Sequence, residues 1–174
     1  MLNRRSKVFE TNSSSVHTIT IDSGNVNDLV VETDGYIHLS LPYYGRMFDS
    51  FNNSYDKLCY AILTVCYTRN IYLCGPSNNE EMSVNEYLEE CQHFKDSVKD
   101  LMLLPEYREI EECVVTEINR QNRICRGIKI HMNDSGIDHQ SQEYNSIYEF
   151  LEENNIENIH EFIFGNYTLN TGSD

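Results

Sequence analysis

The sequence predicts an α+β fold: a mixed, partly antiparallel sheet with N- and C-terminal strands, packed by three to four helices. Three observations carry this expectation. Apolar and β-branched residues alternate near both ends of the chain, apolar residues recur at helical spacing between them, and Asp-Gly separates two β-like runs. A chain of 174 residues, 40% hydrophobic and 24% charged, is long enough for one core and is read as a single domain, 1–174.

Val16–Ile21 alternates and is β-branched, so it reads as the first strand. Leu29–Glu32 and Tyr36–Leu41 flank Thr33-Asp34-Gly35, the pattern of a hairpin. Asn53 and Ser54 open a helical stretch with Leu58, Ile62, Val65 and Cys66 on one face. Ile71–Cys74 suggests a short strand stopped by Gly75-Pro76. Ser83-x-x-Glu86 is a capping box for a helix through about Gln92. Glu106–Asn119 predicts a further helix, with Ile110, Cys113, Val114 and Ile118 on its buried stripe. Ile124–Met132 returns to alternation, and Asn133–Gly136 turns the chain. Ser146-x-x-Glu149 caps a helix over Ile147–Asn154. Glu161–Phe164 and Tyr167–Leu169 read as a final strand with a turn at Gly165-Asn166.

Charge is unevenly spread. The formal net charge is −15, yet residues 1–7 hold Arg4, Arg5 and Lys7 without an acid. Residues 118–133 hold Arg120, Arg123, Arg126 and Lys129, again without an acid, and 134–174 hold nine acids and no lysine or arginine. An acidic body suits a basic partner or simply keeps the chain in solution; the arginines and Lys129 are candidate contacts for RNA phosphates or a partner. No apolar run reaches the length of a membrane span, no hydrophobic stretch follows Arg4–Lys7, and the six cysteines include no C-x-x-C pair. The expected setting is the cytoplasm, with reduced thiols and no membrane partner. No Gly-rich turn opens a helix, so no nucleotide-binding loop and no cofactor is expected.

The chemically dense segment is Arg4–His17. Arg4, Arg5 and Lys7 can hold a phosphate, Asn12 and Ser13, Ser14 and Ser15 offer amide, hydroxyl and N–H donors, and Glu10 and His17 can move a proton. A second polar cluster follows Gly136, with Asp138 and His139. Were the 124–142 ribbon to lie beside the first strand, His17 and His139 would flank one site with Glu10 and Asp138 behind them. Two imidazoles and a cation suffice for RNA cleavage without a metal. The alternatives are a polar turn satisfying its own backbone, and a divalent-metal site from His17, His139, Glu10 and Asp138, which no ligand spacing supports. Tyr43-Tyr44 can stack on bases or cap a core edge. His38, His93, His131 and His160 have no evident partner in the sequence.

The string Arg4-Arg5-x-x-Val8-Phe9-Glu10-Thr11-Asn12-Ser13-Ser14-Ser15-x-His17 resembles the opening of small phage and mobile-element proteins of Firmicutes, a group connected with type II-A, Cas9-inhibiting anti-CRISPR proteins. The resemblance covers about 14 residues, together with the stretch at 138–141, and implies a counter-defence role in which guide-RNA truncation is one mode of action. It implies a Cas9–guide RNA ribonucleoprotein as partner and carries over no individual catalytic residue.

Three functions follow as expectations: a metal-independent ribonuclease acting on guide RNA, a non-catalytic acidic protein that blocks a nucleic-acid groove, or an enzyme modifying a host protein or nucleotide. If residues 1–7 and 120–129 meet beside His17, catalysis on phosphate is favoured. If they lie apart and the acids form one regular surface, mimicry is favoured.

Overall fold

The computed structural model describes residues 18–21, 29–44, 49–73, 82–132, 136–137 and 146–171. In chain order these form β1 (Thr18–Ile21), β2 (Tyr36–Ser40), β3 (Tyr43–Tyr44), β4 (Asp49–Phe51), α1 (Ser54–Thr68), α2 (Val84–Leu103), α3 (Pro105–Arg120), β5 (Gly127–His131), β6 (Gly136–Ile137), α4 (Ile147–Glu153), α5 (Ile159–Phe164) and β7 (Tyr167–Thr171).

The expected mixed sheet, with N- and C-terminal strands as its frame, is not what the chain builds. Five helices dominate the described residues, and the strands, two to five residues long, are divided among separate ladders. β2 and β5 form a parallel pair, β3 and β6 a second parallel pair, and β1, β7 and β4 a small antiparallel ladder. The physical reason is where the apolar weight lies. Strands this short bury little surface, whereas α1 is buried on nearly every side from Lys57 to Cys66 and forms the centre of the core.

Around α1, Tyr60, Phe150 and Phe162 bring α1, α4 and α5 together. Their ring centroids lie 5.3–6.4 Å apart, and Phe150 meets Phe162 edge-on. Ile110, Val114 and Ile118 of α3 and Phe94 and Leu101 of α2 complete the core with Ile37, Leu39 and Ile128 of the parallel pair.

Capping is local and explicit. Asn53, Ser83, Ser146 and Asn158 each accept a backbone N–H from the third residue of their helix, and Ser83 with Glu86 makes the full box. Asn70, Asn122 and Asn155 take the left-handed conformation after α1, α3 and α4, the position glycine often fills. After α1 and α4 the chain closes with Ile71 N–H donating to the Cys66 carbonyl and Ile156 N–H to that of Leu151.

Several local expectations change. Residues 29–32 form no strand. The Asp34-Gly35 turn is present, with Gly35 N–H donating to the Glu32 carbonyl, but it leads into β2, which pairs with β5 rather than folding back as a hairpin. Residues 71–73 are not a strand, and α2 runs to Leu103 rather than ending near Gln92. Residues 159–164 are the helix α5: the Asn158 cap and the burial of Ile159, Phe162 and Ile163 outweigh their β propensity.

Candidate functional site

The site grows out of the parallel pair. In its register Tyr36 faces Gly127, His38 faces Lys129 and Ser40 faces His131. Alternation sends Ile37, Leu39 and Ile128 into the core and leaves Tyr36, His38, Lys129 and His131 on the other face. A parallel pair is normally covered on both faces. Here one face is partly open and carries two imidazoles, a carboxylate and a cation.

His38 Nδ1 lies 2.7 Å from His131 Nε2, and the rings stack with centroids 4.8 Å apart. On its far side His38 Nε2 lies 3.0 Å from Asp34 Oδ2. Lys129 Nζ donates to the same oxygen at 2.6 Å and sits 4.3 Å from the centre of the Tyr36 ring. Tyr36 N–H donates to Asp34 Oδ1, which fixes the carboxylate over its own turn. Lys129 first, and then the bonds from Tyr36 and His38, hold the Asp34 carboxyl well below the usual carboxylate range.

Because ionised Asp34 can only accept, the ring nitrogen facing it, His38 Nε2, carries a proton. In neutral His38 the Nδ1 then holds a lone pair and accepts from His131 Nε2–H. His131 Nδ1 is left with its lone pair as the open end of the chain. A proton taken up there makes His131 cationic, and its Nε2 proton can pass to His38, beside Asp34. Asp34, His38 and His131 thus form one proton relay with a single working end.

The frame is tightly specified. Gly127 has φ +153°, and a Cβ there would meet Glu111 Oε1 at 2.8 Å. That oxygen accepts the Ile128 N–H at 3.0 Å, so α3 covers one backbone group of β5. Gly35 has φ +85°, and Arg126 lies across it, with a Cβ meeting the arginine chain at 3.2 Å. Arg126 N–H donates to the Gly35 carbonyl at 2.8 Å.

The sequence-nominated residues divide into two groups. Arg4, Arg5, Lys7, Glu10, Asn12, Ser13, Ser14, Ser15, His17, Asp138 and His139 lie outside the described residues. The basic residues near α3 lie within them, and of the four Arg120 alone belongs to that helix. Arg120 pairs with Glu117 on α3, and Arg123 lies beyond the helix and donates to the Leu29 carbonyl. Arg126 and Lys129 meet the 33–35 turn. Residues 127–131 pair with 36–40, whereas the first strand pairs with β7.

Sequence reasoning passed over Asp34, His38 and His131. Asp34 was legible as a turn residue, but 93 residues separate the two histidines. His160 also has a partner, Glu117, at 3.2 Å. Cys66 and Cys113 make poor nucleophiles: burial pushes the first thiol up to about 12 and the second to about 11. The five described cysteines are free. Among the described residues no three His, Cys, Asp or Glu side chains converge as a metal site, and no helix is long and apolar enough to cross a membrane.

Comparison of the chain with protein-family models, with curated proteins and with solved structures finds no match.

Proposed function

We propose that this protein cuts RNA by acid–base chemistry without a metal, and that its substrate is the guide RNA held by Cas9. The observation that carries the RNA-cleaving reading is the Asp34–His38–His131 relay with Lys129 and Arg126 beside it. His131 Nδ1 takes the proton of a ribose 2′-OH. The freed oxygen attacks the adjacent phosphorus, the bond to the 5′-oxygen breaks, and that oxygen leaves protonated. The products are a 2′,3′-cyclic phosphate and a 5′-hydroxyl. Arg126 and Lys129 supply positive charge for the pentacoordinate phosphate.

The two rings touch, so they act as one relay and not as opposed acid and base across the phosphate. The leaving oxygen then needs a second proton donor, the role for which the sequence nominates His17 and His139. The Arg4–His17 resemblance supports the choice of guide RNA, a counter-defence role and the cytoplasm of a host bacterium as the setting. The charge of −15 supports dependence on a basic ribonucleoprotein, because a chain this acidic repels free RNA.

A second reading has its own support. Glu86, Glu89, Asp96 and Asp100 of α2 and Glu109 and Glu112 of α3 are exposed carboxylates on neighbouring helices, as a protein that fills a nucleic-acid groove requires.

The test incubates wild type, His131→Ala and His17→Ala with a Cas9–guide RNA complex and with RNA alone, then resolves the RNA on a gel. The proposal expects truncated RNA from the complex with wild type and its loss in His131→Ala. Intact RNA with blocked DNA cutting favours the groove-filling reading. Intact RNA with full Cas9 activity contradicts both and leaves modification of a host protein or nucleotide.

A further inference from the structure

The open end of the relay is a nucleophile as well as a base. His131 is exposed, and its Nε2 lies 2.7 Å from His38 Nδ1. Its own Nδ1 keeps a lone pair that no side chain among the described residues engages. A hydrogen bond given by one ring nitrogen raises the basicity of the other. Here the acceptor ring is itself backed by Asp34, 3.0 Å from His38 Nε2. An imidazole held in this way can form a covalent bond through its free nitrogen.

The surroundings select what that nitrogen takes up. Lys129 stands two positions back on the same face of β5, and Ser40, exposed and opposite His131 in the register, adds a hydroxyl. The one carboxylate of the cluster, Asp34, is neutralised by Lys129 and lies on the far side of His38. A cation and a hydroxyl around a nucleophile suit a phosphoryl group. His160 supplies the contrast. Its Nε2 lies 3.2 Å from Glu117, so its ring is polarised in the same sense, but Glu157 and Glu161 stand close to it in the chain and repel an anion.

We propose that His131 Nδ1 accepts a phosphoryl group from a small activated phosphate, of the class of phosphoramidate and acyl phosphates. The Nδ1 lone pair attacks phosphorus, the N–P bond forms, and the bond from phosphorus to the leaving group breaks. With phosphoramidate the leaving group is ammonia, which departs with the protons its nitrogen already holds. The ring becomes an imidazolium whose Nε2–H already donates to His38, with Asp34 behind it. While the phosphoryl group stays, His131 takes up no proton, so the modification silences the relay. The step rests on the relay that the ribonuclease reading uses, but not on RNA.

The full chain is incubated with potassium phosphoramidate, and the products are located by tandem mass spectrometry and assigned to a ring nitrogen by NMR. His131 is expected to be phosphorylated on Nδ1, at least about tenfold faster than His160 or His93, an exposed ring of α2 without such a relay. Asp34→Asn is expected to slow the reaction at His131 about tenfold, with circular dichroism verifying its fold. Modification on Nε2, equal rates at the three histidines, an unchanged rate in Asp34→Asn, or no phosphoryl group on His131 overturns the proposal. A chain that is phosphorylated on Nδ1 yet leaves guide RNA intact supports the proposal and contradicts the ribonuclease. A chain that cuts RNA but takes no phosphoryl group does the reverse.

Discussion

His38 and His131, 93 residues apart in the chain, share one hydrogen bond of 2.7 Å across the parallel pair. A carboxylate stands behind the first ring, and the second ring presents the free nitrogen. The β2–β5 register places His131 opposite Ser40, two positions beyond the Lys129–His38 pair and on the same face. From there His131 reaches His38 while Lys129 reaches Asp34.

The first consequence concerns tautomers. With both rings neutral, His38 and His131 are expected to carry their protons on Nε2, giving the Nδ1-lone-pair pattern in long-range nitrogen–proton NMR. Asp34→Asn removes the obligate acceptor, so His38 is expected to populate both tautomers. An unchanged His38 pattern in that variant would contradict the role given to Asp34.

Asp34 also makes a prediction about acid. Its carboxyl is held below its ordinary value, so the stabilisation from Lys129 and His38 is complete above the unfolded value of about 3.9. It is lost as pH falls through the lower folded value. The Tm gap between wild type and Asp34→Asn should therefore be full near neutrality, begin to narrow below about pH 4 and close only as pH passes the lower folded value. The group is exposed, so the gap should also narrow at about 1 M salt. A gap that persists at low pH and high salt would point to packing rather than charge.

Gly127 is the residue on which the frame of the site depends most directly. Gly127→Ala is expected to destabilise the fold by about 1–3 kcal/mol, from the positive φ and the close approach of Glu111. Thermal or urea unfolding measures it. A neutral effect would mean that Glu111 yields and that the Ile128 N–H finds another acceptor.

In the core, Phe150→Ala removes the ring that touches both Tyr60 and Phe162. The expected loss is about 3–5 kcal/mol, seen as a fall in the urea midpoint with an unchanged slope. A loss below about 1 kcal/mol would mean that the aromatic group does not hold α4 and α5 to α1.

Helices were far more legible in the sequence than pairings. Asn53, Ser83 and Ser146 announce their helices because a cap is written in neighbouring residues, and the stripes of α1 and α3 fall where the spacing puts them. Asn158-x-x-Glu161 was equally legible as a cap, but Phe162-Ile163-Phe164 reads as strand until burial against α1 is known. The fold class failed on non-local grounds. Nothing in Tyr36–Ser40 says that its partner lies beyond three helices, or that the pairing is parallel. The histidine pair is hidden for the same reason: each ring is an unremarkable polar position on its own strand. Among the sequence-nominated cations, Lys129 does sit in the cluster and Arg126 beside its turn, whereas Arg120 and Arg123 are engaged elsewhere.

The most direct measurement is the chemistry of the RNA ends, taken in chelator with wild type and His131→Ala on the Cas9–guide RNA complex. Cleavage through the relay predicts 2′,3′-cyclic phosphate and 5′-hydroxyl ends in the presence of chelator. It also predicts a rate about 100-fold lower or less in His131→Ala. Ends bearing 3′-hydroxyl and 5′-phosphate, cleavage abolished by chelator, or a His131→Ala variant as active as wild type would contradict it.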